Sequence, residues 1–255
     1  MSTVKELIVH HLTYTFEKEA WQWPLSLTVA GLTAEQAAWK PGPERHSIWQ
    51  IVRHLIRWKE GVLVALEGAP RPYREISDRD WEEAGGDQAT WEGDVERLRR
   101  VSLEFKARVE AMDEGELSRE LPWYAGNPAR PIDRRLLDMA THDVYHAGQV
   151  QYIRALQEIP SDMFYNAVVD GNVPKARRIL ETHPELLNAC GRDGFTGLQL
   201  AAWFGHRAMV EFLLDRGADL DAISQNEMRA SAVRSAEEGK HSDIADLLRS
   251  RGATR

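Results

Sequence analysis

The sequence predicts an all-α protein in two parts: a four-helix bundle over residues 1–160 and a short stack of helix pairs over residues 161–255. Three observations carry that expectation. Apolar residues recur at helical spacing in four long segments of the first part. A ten-residue pattern returns in the second part at Gly171, Gly205 and Gly239, a fixed period of 34. Tryptophan also divides the chain, since eight of its nine copies precede residue 160 and only Trp203 follows.

In the first part, Val4, Leu7, Ile8, His11, Leu12 and Thr15 mark the first helix. Ser47-Ile48-Trp49-Gln50 fits a capping box, in which the serine hydroxyl accepts a backbone N–H and the glutamine reaches back. It opens a second helix whose stripe runs through Ile51, His54, Leu55, Trp58, Val62 and Leu66. Leu98, Val101, Leu103, Val109 and Met112 indicate a third. Pro131 suits a first helical turn and starts the fourth, which carries Ile132, Leu136, Met139, His142, His146, Val150 and Ile153. Pro160 is expected to end it. The connections at 69–87 and 113–130, rich in glycine and proline, read as loops.

In the second part, Gly171–Leu180 returns as Gly205–Leu214 and again as Gly239–Leu248, each keeping its apolar residues at helical spacing. Around the middle copy, Asp193-Gly194-Phe195-Thr196-Gly197-Leu198-Gln199-Leu200-Ala201-Ala202 leads into Gly205-His206, and Gly217-Ala218-Asp219 follows Leu213-Leu214. This pattern resembles the ankyrin repeat, which implies antiparallel helix pairs joined by turn-forming loops. The family's usual Thr-Pro-Leu-His reads Thr196-Gly197-Leu198-Gln199 here, so the customary Thr–His hydrogen bond is expected to be lost. Residues 161–190 are read as an opening cap, 191–223 as one full repeat and 224–254 as a closing cap, since end repeats must face water.

Composition sets limits. The chain has 255 residues and a formal net charge of −8. That charge argues against a nucleic-acid partner, which would be met by a basic patch. The N-terminal residues lack the apolar core of a signal peptide, and no stretch is long enough to cross a membrane. The single cysteine, Cys190, excludes an internal disulfide and fits a reducing compartment, so a cytoplasmic location is expected.

The chemistry-bearing residues are histidines. His142 and His146 are four apart, and residues at that spacing share one helical face. Spacing alone also fits two buried imidazoles satisfied by neighbouring carbonyls. His54 changes the balance, because it lies on the inward stripe of another helix, and bundles build metal sites from side chains projecting off facing helices. Three neutral imidazoles leave at least one coordination position open, the pattern of catalytic rather than structural zinc sites. Zinc, nickel, manganese and iron all accept imidazoles, so the residues themselves do not select the ion.

The run His142-Asp143-Val144-Tyr145-His146-Ala147-Gly148-Gln149, together with Ser47–Leu55 and the Leu121-Pro122-Trp123 segment, resembles the DinB/YfiT-like superfamily over about residues 1–158. The resemblance implies a four-helix bundle with a divalent-metal site, zinc or nickel, held by His54, His142 and His146. Some members carry a further histidine where this chain has Asp138, which is open as an extra ligand, an acceptor behind a ligand or a solvated residue. The resemblance also implies enzymes that use a low-molecular-weight thiol as cosubstrate. With the only cysteine in the second part, the thiol would have to come from outside the chain.

Other residues are placed around that site with less weight. Gln50 and Gln149 could orient ligands from behind, or serve as a helix cap and a bundle-end polar group. His11 could approach the centre, His46 is expected to be exposed, and Asp143 is expected on the solvated face. Trp49, Trp58, Trp123 and Tyr145 are candidates to wall a pocket, while His183, His206 and His241 read as structural. The leading functional expectation is a metal-dependent thiol S-transferase or hydrolase acting on a small molecule, with the ankyrin part recruiting a protein partner or holding a homodimer. The alternative is a non-catalytic adaptor whose bundle is a scaffold with a structural or vestigial metal site.

Overall fold

The computed structural model describes residues 3–18, 20 and 22–254; Trp21 lies outside them. The chain divides into two compact units, Met1–Gln157 and Glu158–Arg255.

The first unit contains α1 (Val4–Phe16), α2 (Leu25–Val29), α3 (Ala34–Ala38), α4 (Ile48–Leu66), α5 (Tyr73–Ser77), α6 (Gln88–Glu110), α7 (Glu114–Ser118), β1 (Glu120–Leu121), β2 (Arg130–Pro131) and α8 (Ile132–Leu156). The long helices α1, α4, α6 and α8 form the bundle: α4 packs on α6 and α8, and α1 on the same two. Their buried stripes meet in a core that includes Ile8, Leu12, Val62, Phe105, Leu136 and Met139. The capping box forms as the sequence predicts, with the Gln50 N–H donating to Ser47 Oγ at 3.1 Å and the Ser47 N–H donating to Gln50 Oε1 at 3.0 Å.

Two expectations need correction here. The connections at 69–87 and 113–130 are not bare loops, since they hold α5, α7 and an antiparallel two-residue ladder pairing Glu120 with Pro131 and Leu121 with Arg130. Buried Ile76 and Leu117 anchor the two short helices, and Asp113 and Glu116 cap α7 reciprocally. Pro160 does not end the fourth helix. α8 stops at Leu156, Glu158 takes a positive φ of 50°, and Pro160 opens the next helix. A first helical turn needs no N–H from its opening residue, so proline begins helices more readily than it closes them.

The second unit contains α9 (Pro160–Val169), α10 (Val173–Thr182), a 3-10 turn (Pro184–Leu187), α11 (Gly197–Trp203), α12 (Arg207–Asp215), α13 (Ala232–Glu238) and α14 (Ser242–Ser250). These are three helix pairs around a core that includes Phe164, Leu180, Ala201, Leu213 and Leu248. Gln199 takes over the work expected of histidine at its position. Its Oε1 accepts from the Thr196 N–H at 2.8 Å, and its Nε2 donates to the carbonyls of Ala222 and Ala230 at 2.8 and 2.9 Å. The glycine of each repeat seats the histidine of the next. Gly171 (φ +66°) lies against the His206 ring, whose Nε2 is 2.7 Å from the Val169 carbonyl, and Gly205 (φ +77°) lies against His241. In the last copy Arg234 is exposed, as a closing cap requires, while Ser235 is buried.

Candidate metal centre

His54 sits one turn beyond Gln50 on α4, and His142 and His146 sit one turn apart on α8. Helical periodicity turns all three toward the same interior, and their ring nitrogens converge, each offering one ligand atom with all three atoms within 4.8 Å of one another. His142 Nε2 is 2.9 Å from His54 Nε2 and 3.0 Å from His146 Nε2. His54 and His146 are buried and His142 is half-buried.

The other ring nitrogens fix what the three Nε2 atoms present. His54 Nδ1 is 2.6 Å from Asp80 Oδ1, and His146 Nδ1 is 2.7 Å from Gln149 Oε1. Carboxylate and amide oxygens accept, so both rings donate from Nδ1 and turn an Nε2 lone pair inward. A neutral His142 can place one Nε2 proton toward only one of these partners. At least one inward lone pair is then left without a donor, and a cation is what such a set accommodates. The residues therefore fit the divalent ion that the sequence pattern implies.

Electrostatics agrees with that fit. Burial, and then the neighbouring His146 and His54 rings, hold the His142 pKa down at about 3; burial and then His54 hold that of His146 at about 4. Both imidazoles are neutral at pH 7, as metal ligation requires.

The surroundings differ in part from the sequence expectations. Gln149 backs His146, and its Nε2 donates to the exposed Tyr145 hydroxyl at 3.0 Å. Gln50 spends its amide elsewhere: its Nε2 donates to the Trp81 and Glu82 carbonyls at 3.0 and 3.3 Å. Asp138 is exposed and stands apart from the converging ring nitrogens. His11 is exposed rather than central, and His46 is exposed with its ring stacked 3.8 Å from that of Trp81. Among the proposed aromatic walls, Trp58 and Tyr145 do adjoin the site, Trp58 through Asp80 and Tyr145 through an edge contact with His146. Trp49 instead donates to Asp94 at 2.7 Å, and Trp123 packs in the core beside Arg135.

Asp143 is the clearest correction. It is 1% exposed and receives a 2.7 Å hydrogen bond from Lys59 Nζ, because it lies on the flank of α8 that α4 covers, beside the exposed stripe of Thr141, Val144 and Gly148. Burial pushes its carboxyl up from the ordinary value, against the pull of the Lys59 ammonium.

Sequence reasoning missed Asp80 and Trp81. Trp81 stacks on His54 with centroids 4.3 Å apart and planes within 11°. Both residues lie in an aperiodic segment, where no helical face reveals direction. An acidic-aromatic pair within a bundle-end loop was the one available signal. Beside the centre, a groove of about 520 Å³ is lined by His46, Gln149, Ile51, Tyr152, Ile153 and their neighbours. Its volume falls within the roughly 300–1,000 Å³ of small-molecule pockets.

Comparison with known proteins covers both units. The ankyrin-repeat family matches residues 164–214. A 95-residue stretch is 34% identical to the NAD-capped RNA hydrolase NUDT12 of Homo sapiens, covering 37% of this chain and 20% of that protein. An 85-residue stretch is 34% identical to the serine/threonine-protein kinase TNNI3K of Mus musculus, covering 31% and 10%. The chain thus spans a fifth or less of the length of these curated relatives. The DinB superfamily matches residues 20–150, more than half of the chain and the whole of the histidine centre. With its trio in place and the match extending from α2 into α8, the chain belongs to the DinB superfamily and carries ankyrin repeats after its bundle.

Proposed function

We propose that the bundle is a divalent-metal-dependent enzyme acting on a small molecule, as a thiol S-transferase or a hydrolase, with zinc or nickel as its ion. The observation that supports this best is the convergence of the three Nε2 atoms, two of them held as lone pairs by Asp80 and Gln149. A divalent ion there supplies Lewis acidity, lowering the pKa of a water or thiol that occupies an open position. The chain's own residues do the rest. His142 and His146 stay neutral, Trp81 covers one face of His54, and the groove beside Gln149 offers apolar walls to a substrate body. In the transferase form the cosubstrate S–H gives its proton to solvent, and the sulfur bonds to an electrophilic carbon as that carbon's bond to the leaving group breaks and the group departs with the electron pair. In the hydrolase form water replaces the thiol. In this reading the thiol is a cosubstrate from outside the chain, whose single cysteine, Cys190, has its pKa pushed up by burial. The ankyrin repeats, in this reading, recruit a protein partner or hold a homodimer.

Elemental analysis of protein purified without chelators tests the reading. One divalent ion per chain is expected, lost on changing His54, His142 or His146 to Ala while helicity is kept. A metal-free wild type at neutral pH would overturn it. Metal-loaded protein should then turn over small thiols with a halogenated aromatic electrophile, or hydrolyse small esters or amides. Inertness toward the whole panel would favour the adaptor reading.

A further inference from the structure

The segment that carries Asp80 and Trp81 is held to the bundle in an unusual way. Among the described residues, the backbone hydrogen bonds of Asp78, Asp80 and Glu82 are local turn bonds, to Arg74, Ser77 and Arg79. Its attachments to the rest of the bundle are made by side chains. Gln50 donates to the Trp81 and Glu82 carbonyls, Arg57 donates to the Arg79 carbonyl, and Lys40 pairs with Glu83 at 2.7 Å. Asp78, Arg79, Glu82 and Glu83 are exposed, so Asp80 and Trp81 are the residues that turn inward. Asp80 is held twice: Oδ1 takes the His54 Nδ1 contact at 2.6 Å, and Trp58 Nε1 donates to Oδ1 and Oδ2 at 3.1 and 3.2 Å.

We infer that Asp80 is a positioning residue that couples this surface segment to the metal centre. It rests on the metal reading of the histidine trio. Asp80 is not a ligand, because it addresses Nδ1 of His54 while the converging atom is Nε2. A carboxylate behind a ligating imidazole fixes the tautomer and strengthens the ring as a donor. The coupling must run both ways. If Asp80 tightens metal binding, a bound ion tightens the Asp80–His54 contact by the same factor, and with it the docking of residues 78–83. The segment is thereby a cover whose closure depends on the metal.

The test uses the full chain with Zn²⁺ as the probe, competed against a chromogenic chelator. Asp80→Asn and Asp80→Ala are expected to weaken binding on the order of 10–100-fold. Asp80→Glu should recover part of the loss, and Trp58→Phe, which removes the indole N–H from Asp80 while keeping a ring beside His54, should cost less than Asp80→Ala. Hydrogen exchange gives a readout that a merely structural role would not move. In the wild type, Zn²⁺ should slow exchange in residues 78–83, and in Asp80→Ala that slowing should vanish while other metal-induced protection remains. Folded Asp80 variants with wild-type Zn²⁺ affinity, or equal metal-dependent protection in Asp80→Ala, would overturn the inference while leaving the histidine site standing. A wild type that binds no Zn²⁺ would overturn both.

Discussion

Lys59 Nζ lies 2.7 Å from Asp143 Oδ2, and both side chains are 1% exposed, so α4 and α8 share a dry ion pair one residue along from a candidate metal ligand. The ammonium also sits 5.5 Å from the centre of the Phe105 ring. Removing one partner strands the other in the core, which typically costs about 3–5 kcal/mol, whereas an apolar pair of similar volume can be neutral. Lys59→Met alone should lower the melting temperature of the bundle by roughly 10 °C. Lys59→Met with Asp143→Leu should restore most of it. Calorimetry on both variants checks this, and a single variant as stable as the wild type would remove the pair from the account of the core.

The depressed histidines give the metal-free protein a defined acid sensitivity. In the unfolded chain His142 and His146 take protons below about 6.5, but in the fold only near 3 and 4. The unfolded state therefore binds more protons across that window, and stability falls as pH drops from about 6.5 toward 4. The slope is about 1.4 kcal/mol per pH unit for each histidine, and above pH 7 the two contribute none. Urea titrations of chelator-treated protein at pH 7, 6 and 5 should show the fall, and a variant with both residues changed to Gln should flatten it. Added Zn²⁺ should move the wild-type curve toward lower pH, since protons and metal compete for the same nitrogens.

Gln199 joins successive repeats through one buried amide. Gln199→Ala would leave the carbonyls of Ala222 and Ala230 without that donor and remove half of the Thr196 capping box. A loss of about 2–3 kcal/mol is expected, seen as earlier unfolding of the second unit with the bundle transition unmoved.

Gly205→Ala should damage the same unit by another route. The residue has φ +77°, and a Cβ there would collide with the His241 ring. Left-handed backbone alone costs a non-glycine residue roughly 1–2 kcal/mol. Gly217→Ala, with φ +89° but open space around it, should cost less, and the difference between the two melting curves measures the collision.

The three ligating candidates were legible because helical periodicity fixes direction: positions four apart on one helix and an inward stripe on another define a meeting place before any fold is known. The same logic failed at Asp143. One-face reasoning divides a helix into one buried and one wet side; α8 does keep a wet stripe through Thr141, Val144 and Gly148, but α4 covers the flank that carries Asp143. Asp80 was invisible for the opposite reason, since a turn has no period from which to read direction. The repeats were legible down to their glycines, whereas the work of Gln199 was not. A substituted side chain shows what hydrogen bond is lost but not what new acceptors lie within its reach.

Gln50 is both the start of a helix and a hand on the cover of the centre. Its oxygen closes the first turn of α4, and its nitrogen holds two carbonyls more than thirty residues away in the chain. The position of the cover is therefore referenced to the helix end rather than to the length of chain that brings it there. Residues added at the exposed Gly85-Gly86 junction would lengthen the path into α6 without altering that reference. Chain length at that junction is a free variable for insertion and engineering, and the register of one amide is not.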